Sequence, residues 1–425
     1  MLVSFVFENY LSFKNLSKLN FHGASIKDHP ENLHSPYFDN ELRILKSLGL
    51  YGANSSGKSN VIKAFSFFRS FILSSSKEST IGQAINVNPF LLNDETEKQP
   101  SMFEAQFYLE NIKYRYGFQV TQHDVIGEWL YQVSLRKEER IFLRSKKDFV
   151  FEKKFQNEFK SKLLTLTEFT NSNSLYLSVL AQFNVAIAQD IITWFKNIIV
   201  AHDTDHDALI DFSAGLLANT SYSKLMGEIM VNSGLGIHGI ESRLNELAAK
   251  SKLSKPFLNF LLHEEQKNYV VRTKHIKTGK RNKPGDSIYF NLVENESLGT
   301  QKFFGLLGPI LLSLKEKRLL LIDEIDARLH SLLLENVVAL FNSLKYNPLG
   351  AQLIFTCHNT NLLRKKLRRD QMLLISKDES ESSKIGSLHS LKPTIRNDAS
   401  FDKDYLAGKY GAVPFLSTQM NLFES

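Results

Sequence analysis

The sequence contains very little cysteine, with Cys357 as the single one in 425 residues. One cysteine excludes an internal disulfide framework and a zinc site built from several cysteines, and it suits a reducing compartment. The sequence also lacks any apolar run of about eighteen residues or more, and residues 1–8 lack the basic and apolar regions of a signal peptide. We therefore expect a cytoplasmic protein with no membrane partner.

Repeats and disorder-prone composition are missing as well. No fixed-period repeat is found, and 43% hydrophobic with 23% charged residues excludes a disordered or low-complexity chain. The length suffices for a large core in one domain with insertions, or in two domains. The formal net charge of +7 is compatible with a nucleic-acid partner but is also common among ordinary soluble proteins.

The hydrophobic pattern divides the chain into three regions. Residues 1–155 begin with an apolar strand at 2–7 and a hairpin partner at 19–21, followed by a strand, loop and helix over 44–68. A meander of strands then follows, at 103–109, 113–120, 126–135 and 149–153. We interpret this region as an N-terminal lobe.

Residues 156–268 change to helical periodicity and are interpreted as a helical insertion. Its candidate helices are 159–169, 175–200, 209–230, 240–249 and 256–262. In the C-terminal lobe, residues 269–425, a strand pair at 269–275 and 288–293 precedes helices at 299–314 and 331–344 and strands at 319–323, 352–356 and 372–375. This alternation predicts a mostly parallel sheet in a layered α/β core.

Residues 52–59 read Gly-Ala-Asn-Ser-Ser-Gly-Lys-Ser, the phosphate-binding pattern G-x-x-x-x-G-K-S, between a predicted strand and a predicted helix. Glycine lets backbone N–H groups close around a phosphate, and the following helix adds its positive N-terminus. Lys58 is expected to reach the β- and γ-phosphates and Ser59 to bind Mg²⁺. The sequence therefore predicts ATP and Mg²⁺ as cofactors, with ATP held by Gly52, Asn54, Ser55, Ser56, Gly57, Lys58, Ser59 and Asn60.

A second segment has four apolar residues at 319–322 followed by Asp323 and Glu324. In a chain with a phosphate-binding loop, this form predicts that Asp323 holds Mg²⁺ and that Glu324 orients or deprotonates the attacking water. The alternative is a strand that merely ends in a solvated acidic turn. Because the two segments lie far apart in sequence, a long insertion must leave and re-enter the nucleotide core.

Ser297, Gly299 and Thr300 stand at the start of a predicted helix. A hydroxyl and a glycine at a helix N-terminus form a second anion site, whereas Ser297 taken alone is most simply a helix cap. Their place between the phosphate loop and the acidic strand favours the signature segment of ABC-type ATPases, which contacts nucleotide held by a partner subunit. The working site would then be composite and would need a homodimer or a higher homo-oligomer.

His358 follows the predicted strand 352–356. Its place after Glu324 favours a switch histidine, which bonds the γ-phosphate and senses hydrolysis, although a histidine at a strand end is often just a polar loop residue. Asp326 would lie in the segment that passes signals across the dimer. Glu324 and His358 are therefore the candidate catalytic residues.

Two further features each have two interpretations. Residues 202–206 read His-Asp-Thr-Asp-His, which are metal-ligand types, but adjacent ligands in one loop more often form a solvated turn. The basic runs at 136–154, 274–283 and 364–369 could contact nucleic-acid phosphates or form solvated faces.

With these residues, the chain resembles the bacterial ABC-type AAA ATPases of phage-defence and abortive-infection loci, a group that includes RloA-like and AbiL-type proteins. The resemblance covers nearly the whole chain. It rests on residues 7–14, 51–60, 297–300, 323–326, 329–330, 356, 358–360, 368–371 and 405–414. Segments 368–371 and 405–414 are the most family-specific, yet their residue patterns alone assign them no role.

The resemblance implies an α/β P-loop NTPase fold of the ABC or RecF-like head type, with a mixed sheet, an antiparallel β meander and a compact helical insertion. It also implies an ATPase that senses infection or DNA state in anti-phage defence and acts with a separately encoded, nuclease-like effector. The signature reads Ser-Leu-Gly-Thr rather than the transporter form, and no Q-loop glutamine is assigned. How hydrolysis is triggered therefore stays open.

Two other functions stay open at this point. A RecF-type ATPase of DNA repair or recombination would share the same head and basic loops, and DNA would stimulate its hydrolysis in a salt-sensitive way. A non-hydrolysing scaffold would use ATP only to hold an assembly together. A transporter subunit does not fit the N-terminal layout or the long insertion.

Overall fold

The computed structural model describes residues 1–39, 41–78, 82–134, 137–152, 163–244, 269–279, 283–363, 366–391 and 401–410. Within these ranges the chain forms a mixed α/β fold with several sheets. No helix in this part of the chain is long and apolar enough to cross a membrane. The predicted helix at 256–262 and part of the one at 159–169 lie outside the described residues.

The strands and helices of these ranges are numbered in chain order. The strands are β1 (Leu2–Glu8), β2 (Ser17–Asn20), β3 (Leu33–His34), β4 (Ile44–Leu45), β5 (Ser47–Gly52), β6 (Ser101–Leu109), β7 (Ile112–Val120), β8 (Val125–Ser134), β9 (Lys137–Ser145), β10 (Asp148–Phe151), β11 (Ile199–Ala201), β12 (Gly239–Leu244), β13 (Tyr269–Thr278), β14 (Pro284–Asn291), β15 (Leu319–Ile322), β16 (Gln352–Thr356), β17 (Met372–Lys377) and β18 (Ser383–Ser387). The helices are α1 (Lys58–Glu78), α2 (Tyr176–Gln182), α3 (Ala186–Lys196), α4 (His206–Ala218), α5 (Thr220–Asn232), α6 (Leu292–Asn295), α7 (Leu298–Glu316), α8 (Ser331–Asn342) and α9 (Phe401–Leu406).

An antiparallel sheet with the order β10-β9-β8-β7-β6-β1-β2 forms most of the N-terminal region. Along β6, buried and half-buried residues alternate, so Phe103, Ala105 and Phe107 face one core. Helix α1 packs against this core, with the rings of Phe68 and Phe118 5.3 Å apart. The predicted hairpin and meander strands are confirmed, but the prediction missed β9, which lies within the basic run 136–154.

The second large sheet has the order β11-β15-β16-β5-β17-β18. All neighbouring strands are parallel except β17 and β18. Strands β5, β15 and β16 are buried along their whole length and mostly apolar, as expected for a parallel sheet covered on both faces. The predicted mostly parallel sheet is confirmed, and it includes β11 from the predicted insertion. The boundaries 1–155, 156–268 and 269–425 stay predictions.

Three predicted helices differ from the structure. The segment 175–200, predicted as one helix, forms α2, α3 and β11. Asn184 separates the two helices because it adopts a left-handed φ of 59°. The one at 209–230 divides at Asn219, whose side chain accepts a hydrogen bond from the Ser221 N–H and caps α5. The prediction of a helix at 240–249 is wrong for residues 240–244, which belong to β12 and pair with β13. Residues along β12 do not alternate in burial, so its tertiary pairing decides its conformation.

The charged turn 368–371 forms a buried polar network. Arg368 is fully buried, and its Nε and Nη2 each donate to the Asp370 carboxylate at 2.9 Å. Its guanidinium also donates to the backbone carbonyls of Asp28 at 2.6 Å and Ala24 at 2.9 Å. Asp370 in turn accepts a hydrogen bond from the Ala24 N–H at 2.7 Å. These bonds give the turn a structural role, which is to hold loop 24–28 against the parallel sheet.

We expect Arg368→Met to lower the free energy of unfolding by about 3–5 kcal/mol, because it leaves the buried Asp370 carboxylate without its cation. Urea unfolding would measure the loss. In the control Lys377→Met, which removes the surface ion pair with Glu381 at 3.3 Å, the change should stay below about 1 kcal/mol. Equal small effects for both variants would contradict a structural role for the buried pair.

Candidate nucleotide site

The loop between β5 and α1 has the conformation that phosphate binding requires. Ser55 and Gly57 adopt left-handed φ values of 62° and 111°, which turn successive N–H groups toward a common concavity. A Cβ on Gly57 would lie 2.5 Å from the Ser383 Oγ, so only glycine fits there. Asn54 and Ser55 are exposed at the loop's open side.

Lys58, the first residue of α1, folds back over this loop. Its ammonium donates hydrogen bonds to the carbonyls of Gly52 at 2.9 Å and Ala53 at 2.8 Å. Burial lowers the pKa of Lys58, and the carboxylates of Glu324, Asp326 and Asp323 oppose that shift. The site therefore contains a buried cation, Lys58, close to three acidic side chains. The Lys58 ammonium lies against the backbone of the phosphate loop.

Two serines that were not candidate site residues support the loop from outside. The Ser383 hydroxyl at the start of β18 donates to the Ser56 carbonyl at 2.6 Å and lies 2.8 Å from the Ser12 hydroxyl. The Asn60 side chain donates to Ser12 at 2.8 Å. Ser12 lies in the segment 7–14 that carries the family resemblance, whereas no local pattern marks Ser383.

Asp323 and Ser59 come together at the carboxyl edge of the parallel sheet. The Ser59 hydroxyl lies 3.1 Å from the Asp323 Oδ1, and the Thr356 hydroxyl donates to the same oxygen at 2.6 Å. Hydroxyl and carboxylate oxygens are the ligands that Mg²⁺ prefers, and Mg²⁺ usually takes only one or two of them from the protein. The residues present therefore fit Mg²⁺ with a bound triphosphate.

The backbone of Glu324 is fixed on both sides in a conformation that non-glycine residues rarely adopt. Its φ is 50°, a left-handed value that costs about 1–3 kcal/mol and persists only where surrounding contacts impose it. The Glu324 N–H donates to the Thr356 hydroxyl at 2.6 Å, and the Glu324 carbonyl accepts from the Lys302 ammonium at 2.9 Å. Neither Lys302 nor Thr356 was a candidate site residue from sequence.

Asp326 ties the loop after β15 to the loop after β16. Its Oδ2 accepts hydrogen bonds from the N–H groups of His358 at 2.9 Å and Asn359 at 2.8 Å. The His358 side chain is exposed. The backbone of His358 is thus placed next to the acidic loop, while its imidazole stands at the surface. The switch role of His358 and the signalling role of Asp326 stay predictions.

Ser297 caps α7, as the simpler interpretation of this residue predicted. Its hydroxyl accepts from the Thr300 N–H at 3.2 Å and lies 3.0 Å from the Thr300 hydroxyl. A Cβ on Gly299 would lie 2.6 Å from the Arg328 carbonyl, so glycine permits close packing on the loop after Glu324. Thr300 is buried and Leu298 is exposed. Whether this N-terminus contacts a partner's nucleotide stays a prediction.

The residues of segment 202–206 have separate partners. The His202 ring lies 3.4 Å from the Ser66 hydroxyl, the His206 ring lies 3.2 Å from the Gln301 Oε1, and Asp203 pairs with Lys302 at 2.9 Å. Among the described residues, no group of three or more His, Cys, Asp or Glu side chains is placed to hold a metal ion.

The aromatic tail reaches the phosphate loop. Burial raises the pKa of Tyr405 in α9, and a hydrogen bond from the backbone of Gly52 opposes the rise. Residues 411–414 of this segment lie outside the described residues. The family-specific pattern at 405–414 thus begins directly beside the first glycine of the loop.

A family model described as "AAA domain, putative AbiEii toxin, Type IV TA system" matches residues 47–193 and 232–364. These ranges cover more than half of the chain and include the phosphate loop, Ser297, Asp323, Glu324 and His358. No curated protein matches the chain at a significant level.

Proposed function

Because the chain belongs to this AAA domain family of P-loop ATPases, we propose that it binds ATP with Mg²⁺ and hydrolyses ATP to ADP and phosphate. The observation that carries the proposal is the meeting of Lys58, Ser59 and Asp323 at one edge of the sheet, with Glu324 fixed beside them. Bound Mg²⁺ supplies neutralisation of the phosphate charge.

Residues of this chain have the other roles in binding and hydrolysis. The loop N–H groups and Lys58 bind and orient the triphosphate, while Ser59 and Asp323 supply oxygen ligands. Glu324 accepts the proton of the attacking water, and its fixed backbone restricts where its carboxylate can go. His358 contacts the γ-phosphate from the neighbouring loop.

We further propose that the site is completed by Ser297, Gly299 and Thr300 of a second copy, so that ATP binding drives homodimer formation. The supporting features are the Ser297-capped start of α7, its close packing on the loop after Glu324, and the exposed Leu298 beside it. In such an arrangement, a helix N-terminus offers positive charge to phosphate across the interface.

The family's description includes the words "putative AbiEii toxin, Type IV TA system". This supports the proposal that the ATPase works in bacterial defence against phage. By the resemblance, the chain is the sensor or regulatory subunit, and a separately encoded, nuclease-like effector acts on the target.

The test is a measurement of ATP retention, self-association and single-turnover phosphate release on the purified chain with Mg²⁺. We expect retained ATP, a dimer or larger assembly that forms only with ATP, and release of phosphate. Retention and assembly without phosphate release would replace this function by an ATP-dependent scaffold. Failure to retain ATP would contradict the proposal altogether.

A second candidate function, a DNA repair or recombination ATPase of RecF type, is favoured by one surface. The sheet β12-β13-β14 carries exposed Arg272, half-buried Lys274 and exposed Tyr289 on one face, because Lys274 pairs directly with Tyr289 and Arg272 lies two residues away. Cations beside an aromatic ring suit a nucleic-acid strand. The test is to measure phosphate release with and without DNA at two salt concentrations. Stimulation by DNA that weakens with salt supports this candidate, and a rate of hydrolysis that DNA does not change removes it.

A further inference from the structure

The buried part of helix α7 contains one cationic side chain, that of Lys302. All residues from Thr300 to Leu314 are buried, and the exposed fraction of Lys302 is 6%. A buried ammonium is costly unless it is paired and hydrogen-bonded. The partners of Lys302 therefore show what this position does.

The Lys302 ammonium joins two other elements of the nucleotide core. It donates to the Asp203 Oδ1 at 2.9 Å, in the loop after β11, and to the Glu324 carbonyl at 2.9 Å, in the loop after β15. Lys302, Asp203 and Asp323 also line the same small cavity. The hydrogen bond from Lys302 holds the pKa of Asp203 below its ordinary value.

The bond to the Glu324 carbonyl means that the backbone of Glu324 is held on both sides, at its N–H and at its carbonyl. The Thr356 hydroxyl holds the N–H of Glu324 and in turn donates to Asp323. On the other side, the Glu324 carbonyl accepts from Lys302 and from the Ala327 N–H at 3.1 Å. Since Glu324 keeps a left-handed φ of 50°, these contacts determine the direction in which its carboxylate leaves the backbone.

We propose that Lys302 is a positioning residue for ATP hydrolysis, which aims the Glu324 carboxylate by holding its carbonyl while Asp203 anchors the ammonium. This inference rests on the proposed ATPase function. It also gives the N-terminus of α7 a direct connection to the general base, because Lys302 lies only about one and a half helical turns from Ser297. Displacement of that N-terminus by a partner would move the Glu324 backbone.

The competing explanation is a purely structural ion pair that ties the β11 loop to α7. Kinetics separate the two, since a positioning residue acts through Glu324 and a structural pair acts on stability. The test variant is Lys302→Met, which keeps most of the side-chain length and removes the ammonium. Lys302→Arg keeps a donor toward Asp203, and Lys315→Met, an exposed lysine near the other end of the same helix, is the matched control.

We expect Lys302→Met to lower kcat for ATP hydrolysis by about 10- to 100-fold, as small misplacements of catalytic groups do, with KM and ATP retention unchanged. Lys302→Arg should recover part of the rate, and Lys315→Met should hydrolyse ATP like the wild type. In a Glu324→Gln background, Lys302→Met should slow the reaction no further, because the group it positions is already lost.

Several outcomes would overturn the inference. A wild-type kcat in Lys302→Met would do so, and so would a lower thermal midpoint with unchanged kcat, which marks a structural pair only. An additional rate loss in the Glu324→Gln background would show that Lys302 acts elsewhere. If the wild-type chain itself releases no phosphate, the ATPase proposal fails first, and this result is distinguishable because it needs no variant.

Discussion

Glu324→Gln is expected to slow phosphate release by about 10²- to 10⁴-fold, the usual contribution of a positioned general base. The substitution keeps the size of the side chain and its backbone contacts with Thr356 and Lys302, but the amide cannot accept a proton from water. Lys58 and Ser59 are untouched, so ATP and Mg²⁺ should still bind. The variant should therefore accumulate in the ATP-bound, self-associated state.

Single-turnover phosphate release measures the rate, filter binding measures retained ATP, and light scattering measures the assembly. Glu379→Gln, an exposed carboxylate between β17 and β18, serves as the control and should match the wild type in all three. Unchanged turnover in Glu324→Gln would remove Glu324 as the base. Loss of ATP retention would instead indicate that its charge contributes mainly to the Mg²⁺ site.

The nucleotide loop could be predicted from sequence because its residues are contiguous and its geometry is local. Gly57 and Lys58 form one turn whose chemistry follows from the residue types alone. Asp323 and Glu324 could be predicted for a related reason, since a short apolar strand ending in carboxylates places them at the sheet edge. The contact between Ser59 and Asp323 then follows from parallel strands that share one edge.

The residues that hold this site in place could not be predicted in the same way. Lys302 and Asp203 are separated by 99 positions, and Ser12 and Ser383 by 371. No local pattern links the two members of either pair, and only the assembled fold brings the partners together. Arg368 reads as part of a solvated charged turn, yet it is fully buried because loop 24–28 covers it.

The same reason explains the errors in secondary structure. Strand β12 lacks the alternation that marks a half-buried strand, and its hydrogen bonds come from β13, about thirty residues further along the chain. Strand β9 begins with four charged residues, of which the first two are exposed and the next two half-buried, so its sequence resembles a charged loop. Pairing with the distant β13 decided β12, and hairpin pairing with the adjacent β8 and β10 decided β9, whereas apolar strands such as β15 were set by their own composition.

Mixing two inactive variants should restore hydrolysis if the site is composite. Lys58→Ala removes the cation that binds phosphate, and Ser297→Arg fills the N-terminus of α7 with a bulky side chain. Each variant alone is expected to lose at least about 99% of the wild-type rate, because in a symmetric dimer both sites carry the defect. In a mixed dimer, one site combines an intact Lys58 with an intact Ser297 from the other subunit.

If the variants are mixed at equal concentrations and all pairs of subunits assemble equally, about half of the dimers are mixed and each has one intact site, so about a quarter of the wild-type rate should return. Titration of one variant against the other, with phosphate release as the readout, gives the maximum near equal amounts. Ser297→Arg alone should still retain ATP, because its own loop is intact, and Lys58→Ala alone should not. Full activity of Ser297→Arg, or no recovery on mixing despite proven subunit exchange, would mean that each subunit completes its own site, and the dimer would then have no part in hydrolysis.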